Sequence, residues 1–254
     1  MQNIESGELK KIVDNFESEY GYLTNIGNVF YFKTNLDATR NRIISIDIET
    51  LKIVEVVKET SDVLESCGVM KGEDDLLLVL VYLRDCKNVM KIRKLSGDGS
   101  DEEEVKLVSL GSIGTIRTRR SSDMMFYSFT SFLYPGTIYS LRKTKQGFEQ
   151  NVIFDMKVQG FDRTKFFTKQ FFYKSKDGTK IPMFMVGPKD GDVVSSRPTL
   201  LYGYGGFNIS LTPYFSVTRL CWMKVFNANF VMANIRGGGE YVYFPYVSVM
   251  SSLK

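Results

Sequence analysis

From about Tyr20 to Phe154 the apolar residues fall in short alternating runs bounded by polar or glycine-containing turns, with almost no helical periodicity. A period of two sends successive side chains to opposite faces, so these runs predict β-strands. They also repeat. Asn28-VFYFK, Asp75-LLLVLVY and Asp123-MMFYSF each pass from a polar turn residue into an aromatic or aliphatic strand, and they start 47 and then 48 residues apart. A following strand recurs at Arg42-IISIDI, Asn88-VMKIRKL and Thr137-IYSLRK, 46 and then 49 residues apart. A closing strand is expected at Lys52-IVEVV, Lys106-LVSL and Asn151-VIF, and an opening one at Tyr20-GYLT, Val63-LESCGVM and Ile113-GTIRT.

Four strands per unit at this spacing predict β-propeller blades. The units run over residues 20–62, 63–111 and 112–154, within a partial propeller covering 1–154. Phe30, Phe32, Leu78, Leu80, Phe126 and Tyr127 are expected in the blade cores, and Leu95-SGDGSDEEE-Val105 as a polar, acidic loop. A closed propeller takes about four to eight blades. Three are therefore too few, and residues 1–16, with IVDNF among them, read as the last strand of a preceding blade.

Beyond about Asp155 the pattern changes. Gln170–Lys174 and Lys180–Val186 predict a hairpin around a KDG turn. Thr199-LLYG and Phe230-VMANI are continuous apolar runs, as expected of strands buried on both faces. Between them Thr212-Pro213 offers a helix N-cap followed by proline, with Val217, Leu220, Cys221 and Val225 on one helical face. Strand, glycine-rich turn, helix and strand begin an α/β sheet. Both strands run into glycine turns, LLYGYGGF (200–207) and ANIRGGGEY (233–241), which would form the rim of a site if the strands were neighbours.

Composition narrows the chemistry. The 254 residues are 43% hydrophobic and 24% charged with a net charge of +4, ordinary for a globular protein. Acidic and basic residues are intermixed, and Arg117–Arg120 (RTRR) reads as a short solvated turn, which argues against nucleic-acid binding. Cys67, Cys86 and Cys221 are odd in number and widely spaced, the usage of reduced thiols. No apolar run is long enough for a signal core or a membrane span, so a cytoplasmic protein without membrane attachment is expected. There is no histidine and no G-x-S-x-G motif, so a Ser-His-Asp triad cannot be assembled from these residues.

Blade repeats followed by KSKDGTKIPMF, LLYGYGGFNISLTPYFSV and ANIRGGGEY closely resemble the prolyl oligopeptidase family, from about Ile12 to Tyr241. The resemblance implies a β-propeller of about three four-stranded blades followed by the first strands of an α/β-hydrolase domain, the latter beginning in residues 155–241. It implies a cytosolic serine peptidase that needs no cofactor or metal and cleaves short proline-containing peptides after proline, with the propeller restricting entry. By the same resemblance Tyr204 donates to the oxyanion hole and Phe207 lines the substrate subsites, while Gly203, Gly205 and Gly206 shape the turn presenting both. The resemblance breaks off after Tyr241, where residues 242–254 (VYFPYVSVMSSLK) form a divergent tail. The portion that carries the serine, aspartate and histidine in the family has no counterpart here, so the chain alone is expected to be inactive. The alternative is a non-catalytic propeller-type module binding protein partners through exposed blade edges.

Overall fold

Short turns and loops return the chain on itself through the first half and lay consecutive strands into antiparallel sheets. In the computed structural model, which describes residues 7, 9–189, 197–207 and 209–239, the first sheet contains β1 (Tyr20–Ile26), β2 (Val29–Thr34), β3 (Arg42–Asp47) and β4 (Ile53–Val57). The second contains β5 (Val63–Lys71), β6 (Leu76–Arg84), β7 (Lys87–Lys94) and β8 (Glu103–Val105), and the third β9 (Ser112–Arg117), β10 (Met124–Ser131), β11 (Tyr134–Thr144) and β12 (Gly147–Asp155). Within each sheet the strands lie side by side in chain order, every pair antiparallel. This is a β-propeller arrangement of three four-stranded blades.

The blades stack through their faces, and β6 shows how. Leu78, Leu80 and Tyr82 pack towards Ile43 and Val57 of the first sheet, with Leu64 of β5 in the same cluster. Val79 and Val81, pointing the other way, meet Met125, Tyr127 and Phe129 of the third sheet. Tyr127 and Tyr139 stack there with ring centroids 5.1 Å apart. A strand covered on both faces can be apolar at every position, which accounts for the uninterrupted Leu76–Tyr82 run.

Three expectations about the blades need correction. Phe126 is exposed while Tyr127 is buried; adjacent residues of a strand face opposite ways, so both could not enter one core. Phe30 and Phe32 are only half-buried and make edge and tilted ring contacts with Tyr20 and Tyr22. The closing strand of the second blade is Glu103–Val105, within the stretch expected as an acidic loop, and Lys106–Leu110 has no strand structure. Its acidic residues have partners: Lys91 meets Glu102 at 2.6 Å, Lys143 meets Glu103 at 2.5 Å and Arg84 meets Glu104 at 3.2 Å. Lys91 draws the run against β7, Arg84 at the end of β6 and Lys143 of the third sheet hold it from either side, and Val105 turns into the core.

The fourth sheet has a different topology. Its order is β13 (Phe166–Lys174), β14 (Lys180–Pro188), β16 (Asn229–Ala233), β15 (Thr199–Gly203), with β15 and β16 parallel and the other pairs antiparallel. Helix α1 (Val217–Val225) makes the crossover between the parallel strands. This is the start of an α/β domain. The N-cap of α1 is Ser216, whose side chain accepts from the Arg219 amide, and not Thr212. The Thr212-Pro213 segment lies upstream, where the Pro213 carbonyl accepts from Ser112 Oγ at 2.8 Å. Leu220 and Met223 form the buried face, whereas Val217, Cys221 and Val225 are exposed. The helix packs on β16 and β14, leaving the 217/221/225 side facing away.

Here too one strand departs from expectation. All five residues of β16 are buried, but all five of β15 are exposed, Leu201 by 66%. β15 is an edge of the sheet among the described residues; Arg219 of α1 comes within 6.0 Å of the Tyr202 ring centroid, yet the strand stays exposed along its length.

Propeller and fourth sheet are joined by two hairpin tips. Asp85 and Cys86 form the β6–β7 turn with both φ values positive (48° and 63°), as a primed two-residue turn requires. Phe132 and Leu133 form the β10–β11 turn. Cys86, Phe132 and Leu133 enter one apolar cluster with Phe184, Met223, Phe230 and Met232. Gln170 of β13 seals the contact, donating to the Asp85 carbonyl and accepting from Lys87 Nζ, both at 2.6 Å.

Candidate functional site

Parallel pairing of β15 with β16, Gly203 opposite Ala233, brings the two glycine turns to the same edge of the sheet. In open α/β sheets ligands bind in the crevice outside the carboxyl ends of the strands, and both turns are at such ends. They touch backbone to backbone. A Cβ on Gly205 would stand 2.3 Å from the Arg236 carbonyl oxygen, and one on Gly237 would stand 1.9 Å from the Gly205 carbonyl oxygen. Gly237 also has φ +109°, a region that side chains disfavour. Neither position accepts a side chain without parting the turns.

Tyr204, Gly205 and Gly206 are therefore brought together with residues 235–238. The Tyr204 ring folds over Gly206, whose Cβ would meet the phenol oxygen at 3.2 Å. Tyr204 is half-buried, and its hydroxyl makes no hydrogen bond with another described residue. Phe207 follows in the left-handed region (φ 55°) with 71% of its surface exposed. A non-glycine residue in the left-handed region is uncommon, and here it places a large aromatic side chain at the surface beside Tyr204. Ile209 donates its amide to the Gly206 carbonyl at 3.1 Å and closes the turn.

Three supports of this rim were not singled out from the sequence. Arg236 reaches the tip of the β13–β14 hairpin, pairing with the Asp177 carboxylate and donating to Ser175 Oγ at 3.2 Å. The Thr179 amide and then Arg236 hold the Asp177 carboxyl down to about 2. Asn234, buried, donates from its side chain to the Leu211 carbonyl at 2.5 Å and from its amide to the Pro182 carbonyl at 3.0 Å, fixing the chain beyond the first turn. Arg219 lies over Tyr214 and Phe230, 4.1 and 4.4 Å from the ring centroids. The KDG and IRGGG stretches were each legible as turns, but their pairing spans 59 residues and has no local signal. The sequence tail 242–254 lies outside the described residues.

Chemically the rim offers a phenol donor, a projecting aromatic ring and exposed backbone. No group of three or more Cys, Asp or Glu suited to a metal ion occurs among the described residues.

The prolyl oligopeptidase N-terminal β-propeller domain family matches residues 1–150. Prolyl oligopeptidase A of Galerina marginata is 35% identical over 236 residues, covering 91% of this chain and 31% of its own length. Prolyl endopeptidase of Dictyostelium discoideum is 33% identical over 248 residues, with 92% and 32% covered. Among solved structures, apo prolyl oligopeptidase B from Galerina marginata superposes with a TM-score of 0.80 at 30% identity, covering 92% of this chain and 33% of that one. The same enzyme bound to a 35mer hydrolysis and macrocyclization substrate gives a TM-score of 0.79. The chain thus spans about a third of the length of the relatives it matches.

Proposed function

The chain belongs to the prolyl oligopeptidase family, and from that premise we propose that it serves serine-type hydrolysis of short peptides on the carboxyl side of proline, as part of a cytoplasmic peptidase. Residues 1–154 supply propeller blades that restrict access, and residues 155–241 begin the hydrolase domain. Tyr204 donates to the oxyanion of the tetrahedral intermediate, and Phe207 lines the subsites beside the proline, with Gly205 and Gly206 shaping the turn between them. The observation that carries this reading is the pair of glycine turns seated against each other at the ends of adjacent parallel strands, with the Tyr204 hydroxyl unengaged by other described residues. A donor held in place before charge develops needs no reorganisation when the oxyanion forms.

Under this reading the 254 residues contribute an oxyanion donor but no nucleophile or base, since they contain no histidine and no serine elbow. The purified chain then neither cleaves a proline-containing fluorogenic peptide nor takes a fluorophosphonate label, and stoichiometric labelling of one serine would refute its silence. In a peptidase carrying these residues, Tyr204→Phe lowers kcat by about 10²–10³-fold with KM little changed. An unchanged kcat overturns the assignment of Tyr204.

A second reading, a protein-binding module, is favoured by the outer strand of the third blade, where Val152, Ile153 and Phe154 are more than half exposed. It predicts capture of a partner that a Val152→Asp, Phe154→Asp double variant no longer binds. Peptidase loss on Tyr204→Phe would not follow from it.

A further inference from the structure

Glycine turns are soft, and a phenol carried on one is placed only as well as the turn itself. The first turn, Gly203–Phe207, has the second turn as its backbone neighbour, with Gly205 against the carbonyls of Ile235 and Arg236. Asn234 ties the chain at the start of the second turn, and within the turn the side chain of Arg236 anchors it. Its guanidinium leaves the turn, crosses to the β13–β14 tip and engages two groups there, the Asp177 carboxylate and Ser175 Oγ. That tip is itself knitted: Ser175 N donates to the Thr179 carbonyl at 2.9 Å, Gly178 N to the Ser175 carbonyl at 2.9 Å, and Thr179 N to Asp177 Oδ1 at 3.1 Å.

We infer that Arg236 is a positioning residue for the oxyanion donor: anchored on Asp177 and Ser175, it fixes the 235–238 turn, which seats the Gly205 backbone and thereby the Tyr204 hydroxyl. The inference rests on the peptidase reading for its function, and on the contacts above for its mechanics. An exposed ion pair contributes little to global stability, and both side chains are about half exposed (57% and 50%). A planar guanidinium engaging two acceptors in fixed directions is nonetheless a geometric constraint that a lysine cannot reproduce. The pair therefore acts on where the turn sits, with small effect on whether the protein folds.

The test uses the 254-residue chain and two readouts, amide hydrogen exchange and O-acetylation of Tyr204 by N-acetylimidazole followed by mass spectrometry. Arg236→Ala and Asp177→Ala raise exchange across both 203–207 and 235–239 by about tenfold and change the Tyr204 acetylation rate. Amides of β6 remain protected as in the parent chain. Arg236→Lys, the milder variant, restores the second turn only in part. Exchange that rises at 175–179 alone, with 203–207 and Tyr204 acetylation unmoved, overturns the inference. So does complete rescue by Arg236→Lys. Failure of the peptidase reading has a separate signature: in a peptidase carrying these residues Tyr204→Phe leaves kcat intact, while the exchange response of the 254-residue chain to Arg236→Ala persists.

Discussion

Two stretches of this chain share one pattern and have opposite fates. Leu76–Tyr82 and Thr199–Gly203 are both uninterrupted apolar strands, yet Leu78 and Leu80 have no exposed surface while every residue of the second strand is exposed. The first is an inner strand of a middle sheet, with blades against both faces. The second is an edge strand among the described residues, approached by Arg219 of the helix but left exposed at every position. Apolar composition states what a strand can tolerate; the number of layers around it sets what the strand contributes.

The comparison can be broken most directly by truncation. Leu80→Ala should destabilise by about 2–5 kcal/mol in denaturant melts, as a void opens between blades. The same change at Leu201 should stay within about 0.5 kcal/mol. Equal losses would show that β15 is covered in solution. A smaller effect is expected at the glycines. Gly205→Ala should cost about 1–3 kcal/mol, because its Cβ collides with backbone that cannot swing aside. Gly136→Ala, with nothing within 4 Å of the added carbon, should be near neutral. Parity between them in thermal melts would mean that the two turns are not seated against each other.

Smaller still is the ion pair between blades. Lys143→Ala removes the partner of Glu103 and should cost about 1 kcal/mol or less, shrinking with added salt. A salt-independent loss would point to the contact of the Lys143 ammonium with the Phe148 ring, whose centroid is 4.8 Å from Nζ.

The last prediction changes no residue. Asp177 has a folded value near 2, below the ordinary carboxylate value of about 4. Its contribution is thus fully present above about pH 4 and lost as pH falls towards 2. Carboxyl-carbon NMR should give a midpoint near 2 for Asp177, whereas one near 4 would show that neither the Thr179 amide nor Arg236 engages it.

Much of the fold was legible because β-strands write their period into the chain. Asn28, Asp75 and Asp123 mark three turns in phase, and each is followed by a strand in the structure. What escaped was set by contacts between distant residues. Glu103–Val105 is polar by composition and became a strand because Lys91, Lys143 and Arg84 wait opposite its acidic run. Ser216 caps the helix in place of Thr212 because the Pro213 segment docks on Ser112. In the site, the glycines announced two turns, and the parallel register of β15 on β16 joined them. The Arg236–Asp177 pair had no periodic or local mark to betray it.

The three cysteines turn this architecture into a clock. Cys221 lies on the surface and offers its thiol to an alkylating reagent at once. Cys67, inside the second blade, is pushed up to about 11 by burial, so its reactive thiolate is scarce at neutral pH. Cys86 sits in the hairpin tip that enters the cluster beneath the fourth sheet and has no exposed surface. A reagent reaches it when the propeller tip withdraws from that cluster, so its alkylation rate, read by peptide mass against the other two thiols, times the parting of the two halves of the molecule.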